Sequence, residues 1–161
     1  MLTRLCLAIS LCLVTGLANA GGLVPGFRGM QWGDPVSKLG TTTQALAKTH
    51  PEQDDCYKRT SDKLVINDIP LSEISYCFRG GKLSLVSVTF DKKVSSRIKK
   101  AVIEGYGRPD TDIGVTFVTW GNDKEQGGGT LSLAANGLMF ASNDAAHARE
   151  VDKLVNARKD F

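Results

Sequence analysis

The 161-residue chain is 42% hydrophobic and 23% charged, with a formal net charge of +3 at neutral pH. Such a length and apolar content suit one domain built around a single core. So small a basic excess excludes the strongly positive face or stripe of a nucleic-acid binder.

In chain order the first element is an export signal, Met1–Ala20. Arg4 supplies its positive start, and Leu5–Leu17 is an apolar run shorter than the roughly 20 residues of a membrane span. Ala18-Asn19-Ala20 then gives the small-x-small pattern that precedes cleavage. Cleavage between Ala20 and Gly21 is expected, leaving about 140 residues as one exported domain, periplasmic or secreted, with no transmembrane anchor. Cys6 and Cys12 lie in this segment, but neither follows the small residue that lipid attachment requires. Their removal leaves Cys56 and Cys77 as an even pair, which in an oxidising compartment predicts one disulfide.

Downstream, Phe27–Trp32 carries apolar residues at alternate positions up to Gly33 and predicts a strand. Asp34-Pro35 is an N-cap followed by a first-turn proline. It predicts a helix, broken near Gly40, that runs toward His50 and stops before Pro51, although Thr41–Thr43 is a poor helix interior. Leu71–Phe78 and Lys82–Phe90 are strand-like runs on either side of Arg79-Gly80-Gly81, a hairpin signal. A three-residue loop there places Ile74, Tyr76 and Phe78 on one face with Val86, Val88 and Phe90. Val94, Ile98, Ala101, Val102 and Tyr106 recur at helical spacing and predict a helix covering that face, ended by Gly105 or Gly107 ahead of Pro109.

Strands over Val115–Trp120, Thr130–Ala134 and Leu138–Ser142 follow, the last two joined by an Asn136-Gly137 turn. Asn143 or Asp144 then caps a terminal helix carrying Val151, Leu154 and Val155. Hairpin connections, with helices following strands, predict an α+β fold: an antiparallel sheet with helices packed on it. Trp32-Gly33 and Trp120-Gly121, each closing a strand, hint at an internal duplication.

Chemistry-bearing residues are sparse. His50, Asp54, Asp55 and Cys56 form the one local set of potential metal ligands, and pairing Cys56 with Cys77 takes a ligand out of it. Neither a metal nor a cofactor is expected. His147, a turn before Val151, suits a packing role. Asp110-Thr111-Asp112-Ile113-Gly114 lacks the ligand that a calcium loop needs at Gly114 and the glutamate it needs at Gly121. Gly127–Gly129 lacks the Lys and Ser/Thr of a phosphate loop. Lys92, Lys93, Arg97, Lys99 and Lys100 crowd the middle helix opposite its apolar stripe, a surface suited to an anionic partner.

The segments FRGMQWG, YKRTSDKLVI, ISYCFRGGKLSLVSVTF and GYGRPD with the following VTW resemble a family of small secreted proteins of Gram-negative bacteria. That resemblance spans nearly all of the exported part and carries no active site. More distantly, the helix, Gly107-Arg108-Pro109 and the Trp-containing strands between Arg97 and Ser142 are similar to the β-lactamase inhibitor protein domain and to outer-membrane assembly lipoproteins. This implies a helix-on-sheet binding scaffold. The expected function is therefore a non-enzymatic periplasmic protein-binding module of inhibitor, immunity or envelope-accessory type, with a protein partner in the cell envelope. Two alternatives stand beside it: a small-ligand or lipid-binding envelope protein, and a hydrolase pairing Asp or Glu with His50 or His147.

Overall fold

The structure, a computed structural model, describes residues 24, 26–48, 50, 53–114, 117–121 and 129–143. The expected signal peptide with its Ala20/Gly21 cleavage site, His147 and the expected terminal helix beyond Asn143 lie outside the described residues.

The first strand expected is instead a small hairpin, Gly26–Phe27 (β1) and Met30–Gln31 (β2). Its two-residue turn, Arg28-Gly29, has φ of 48° and 81°, the left-handed pair of a type I′ turn. Arginine is an unusual occupant there, because a Cβ makes positive φ unfavourable. Its guanidinium donates to the backbone oxygens of Lys63 and Val65 and lies 5.4 Å over the Phe27 ring.

A single 3-10 turn, Val36–Leu39, replaces the helix expected toward His50. Asp34 does not cap it. The carboxylate accepts from the Gln31 amide at 2.6 Å and pairs with Lys38 at 2.7 Å. Lys38 and that amide hold its pKa below the ordinary 3.8. Gly40, at φ 87°, ends the turn, and the β-branched run that follows enters a strand, Thr43–Ala45 (β3).

Five strands come next: Asp55–Arg59 (β4), Val65–Ile66 (β5), Ile69–Pro70 (β6), Glu73–Arg79 (β7) and Lys82–Thr89 (β8). The turn Lys92–Val94 leads into a helix, Ser95–Tyr106 (α1), after which Gly107 takes φ 81°. Thr111–Ile113 (β9), Phe117–Trp120 (β10), Gly129–Ala134 (β11) and Gly137–Ser142 (β12) complete the described chain. The fold is thus mostly β and not α+β: 47% of the described residues lie in strands, and one short segment of 15 residues is helical. The threonine run prefers a strand to a helix, and β4, β5, β6 and β9 are too short to leave a periodic trace.

The main sheet has the order β3-β4-β7-β8-β12-β11-β10-β9, antiparallel throughout. It consists of two four-strand meanders, β3-β4-β7-β8 and β9-β10-β11-β12, each preceded by a helical segment and joined through their last strands. One row of inward residues, Tyr57–Tyr76–Val86–Phe140–Leu131–Trp120, crosses both, with a large ring at each end. The two meanders are therefore related by an approximate two-fold between β8 and β12. Trp32 and Trp120 are not equivalents under it: Trp32 follows β2 and donates to the Val24 carbonyl, whereas Trp120 lies within β10 and donates to that of Gly107.

Register in the central hairpin depends on one extra residue. The turn is Gly80-Gly81, with φ of 57° and 77° and Arg79 opposite Lys82. A two-residue turn alone would set Tyr76 against Leu85 and expose Val86 and Val88. A bulge at Ser84, between the pairs Phe78–Leu83 and Cys77–Leu85, instead brings Tyr76 to Val86 and Ile74 to Val88.

All the large inward side chains form one core. Ile98 and Val102 of α1 are buried in it, and Tyr106 stands 6.2 Å from the Phe140 ring. The β1–β2 hairpin covers the adjoining part of the same face, with Phe27 4.7 Å from Phe140 and 6.4 Å from Tyr76. Packing is close where the N-terminal segment crosses β11: a Cβ on Gly129 would lie 2.5 Å from the Trp32 indole nitrogen and 2.8 Å from the Val24 carbonyl oxygen. Among the described residues, no helix is long and apolar enough to cross a membrane.

Candidate binding face

Among the described residues two polar clusters bring charged side chains together, and each is internally hydrogen-bonded. Tyr76, fully buried, donates to Asp62 Oδ2 at 2.6 Å. Arg59 donates to Asp62 Oδ1 at 2.8 Å and to the Tyr76 hydroxyl at 3.1 Å, with its guanidinium 5.3 Å over the ring. Burial, and then the Asp62 carboxylate, push the Tyr76 phenol well above its ordinary 10.0. It is a neutral structural donor, unsuited to act as a base or nucleophile near neutral pH. Arg59 also donates to the Arg28 carbonyl at 3.3 Å, which ties the N-terminal hairpin to the sheet.

The second cluster secures the bulge. Arg79 Nε meets Asp54 Oδ1 at 3.0 Å, while the Ser84 hydroxyl reaches Asp54 Oδ2 at 3.3 Å and the Cys77 carbonyl at 3.2 Å. Asp54 is thereby drawn away from the set expected around His50. His50 itself is exposed, Asp55 pairs with Lys48 at 2.7 Å, and Cys56 is bonded to Cys77. That disulfide joins residues directly opposite on β4 and β7, with Cα atoms 4.0 Å apart. Of the expected ligand set, Asp54, Asp55 and Cys56 thus lie in three separate contacts, while His147 lies outside the described residues.

The basic helix face also divides. Lys99 turns to Asp112, 2.8 Å from each carboxylate oxygen, and Lys100 stands 3.9 Å from Glu104. Lys92, Lys93 and Arg97 remain exposed around the start of α1.

The sheet's other face is different in kind. Because side chains alternate along each strand, the positions opposite the core form rows of their own. One row runs Thr111–Thr119–Ser132–Met139–Ser87–Ser75 across β9, β10, β11, β12, β8 and β7. Its neighbour runs Thr130–Ala141–Leu85–Cys77–Cys56 and ends on the disulfide. From Leu85 across to β9, no described outward position carries a charge; charges begin at the other side, where Lys58 pairs with Glu73. Among the described residues no helix or hairpin packs on this face; Met139 is 46% exposed, whereas Ser75, Cys77 and Ala141 in the same two rows are buried.

Sequence reasoning passed over every one of these outward Ser, Thr and Met positions. Their signal was available strand by strand, as a polar phase with hydroxyls in place of Lys or Glu. Only the β8–β12 pairing makes it one surface. No protein-family model, curated protein or solved structure matches the chain, which leaves the geometry of this face to speak for its use.

Proposed function

We propose that the chain is a non-enzymatic protein-binding module of the cell envelope, exported by Met1–Ala20 and holding a partner protein against the sheet face opposite the core, around the exposed Met139. One observation carries this reading: among the described residues, the outward positions of five strands, from Leu85 of β8 across to β9, bear no charge, on a chain that is 23% charged, and Met139 among them is exposed. A sheet face meant for water alone normally carries Lys and Glu, which keep it soluble and single. Here the side chains are small and lose little rotamer freedom when covered. The partner is itself uncharged where it docks, because a carboxylate or ammonium buried against Ser and Thr would find no counter-charge. Met139 supplies the central apolar contact, and the hydroxyls around it supply hydrogen bonds.

The test is capture of an envelope protein from extract by the tagged, exported chain. Met139→Lys places a charge in the centre of the face at an already exposed position, and should weaken capture by about tenfold or more with thermal stability unchanged. Reversing Lys92 and Arg97 to Glu should leave capture intact. Equal capture by wild type and Met139→Lys, or loss confined to the helix variant, would refute the assignment.

A further inference from the structure

The two edges of the main sheet are guarded very differently. At β9 the inward-facing Asp112 holds Lys99, and Asp110 lies immediately before the strand. Inward charges and flanking acids of this kind keep an edge from pairing with another chain. Among the described residues no such charge guards β3. Gly40 through Ala47 are eight consecutive residues without a charge or a proline, and among the described residues β3 has a strand neighbour only on its β4 side.

The hydrogen bonds on that side show which groups face out. The Leu46 amide donates to the Cys56 carbonyl and the Thr60 amide to that of Thr42, both at 2.8 Å. In an antiparallel ladder the bonded residues alternate, so Thr43 and Ala45 direct their N–H and C=O away from β4. Ala45 is exposed.

We infer that β3 is a self-pairing edge, through which two copies of the chain join antiparallel about a two-fold axis. A strand paired antiparallel with its own copy is always self-complementary, and this one has no charge to repel its twin. Centred on Gln44, the pairing sets Thr43 against the copy's Ala45, so that the outward groups of both are satisfied, and brings the two Gln44 side chains together. The axis stands perpendicular to the sheet. The faces opposite the two cores then lie on the same side of one continuous, doubled sheet, and the pairing itself covers neither. The inference is independent of what those faces bind.

Purified wild-type protein tested by sedimentation equilibrium should dimerise weakly, with a midpoint on the order of 0.1–1 mM, because each added hydrogen bond is worth little in net terms. Ala45→Pro removes an outward N–H while sparing the inward ladder, and Gln44→Lys sets two ammonium groups against each other. Each should raise the midpoint about tenfold or more, and concentration-dependent amide shifts in the wild type should centre on Thr43 and Ala45. A wild type that stays monomeric at about 1 mM would overturn the inference. So would a dimer undiminished by Gln44→Lys, the variant that decides the matter if Ala45→Pro fails to fold. Met139→Lys should dimerise like the wild type; if it does not, the copies meet through the face opposite the core and the β3 pairing is wrong.

Discussion

Tyr76 joins the core to a polar cluster. Its ring packs in the core beneath Phe27, and its hydroxyl lies between Arg59 and Asp62. Replacing it with Phe keeps the ring but leaves Asp62, whose side chain is only 7% exposed, without its phenolic donor. The expected cost at neutral pH is about 1–2 kcal/mol. The pH dependence is a second signature. The folded state holds the phenol above its ordinary 10.0, so the protonated hydroxyl contributes fully below that value and the contribution fades as pH rises beyond it. Urea denaturation of both proteins between about pH 8 and pH 11 should show wild-type stability falling faster than that of Tyr76→Phe. Parallel slopes would mean that Tyr76 titrates as an ordinary tyrosine.

Among the elements, the disulfide has the clearest role: it fastens the short outer strands to the centre. Only Asp55, Cys56 and Tyr57 of β4 pair with β7, and β3 hangs on β4 alone. The bridge closes 21 residues, so replacing both cysteines with Ala should cost about 2–4 kcal/mol. It should also speed amide exchange in β3 and β4 before β8 or β12. An unshifted urea midpoint would show that the pairing of β4 holds without it. Local patterns in the sequence revealed the elements whose contacts are local: the β7–β8 hairpin, α1 with Ile98 and Val102 inward, and the β11–β12 turn. Elements defined by distant partners were hidden. Asp34-Pro35 carries helix-start chemistry, yet Gly40 and the threonines allow only one turn, and β3 owes its existence to β4. The face opposite the core was hidden for the same reason, since its hydroxyls on Ser87, Ser132 and Thr119 become neighbours only once β8, β12, β11 and β10 align.

At the scale of the whole molecule the two meanders raise the question of whether they fold as one body. Their covers differ, a three-turn helix on one and a β1–β2 hairpin on the other, but both covers meet at Phe140. Phe27 of the hairpin lies 4.7 Å from its ring and Tyr106 of the helix 6.2 Å. With Val86 opposite it on β8, this 2%-exposed side chain couples the halves through packing as well as through the ladder. The chain has two tryptophans: Trp32 lies beside the junction, next to β8 and against Gly129 of β11, and Trp120 lies within β10. Proteins keeping only Trp32 or only Trp120, the other replaced by Phe, should give urea transitions that coincide for the fluorescent and circular-dichroism signals. Phe140→Ala should cost about 3–5 kcal/mol and displace both fluorescent reporters equally, because the side chain it removes belongs to neither half alone. If Trp32 instead responded ahead of Trp120, the β8–β12 junction would be a contact between two folding units, and Phe140 a residue of only one of them.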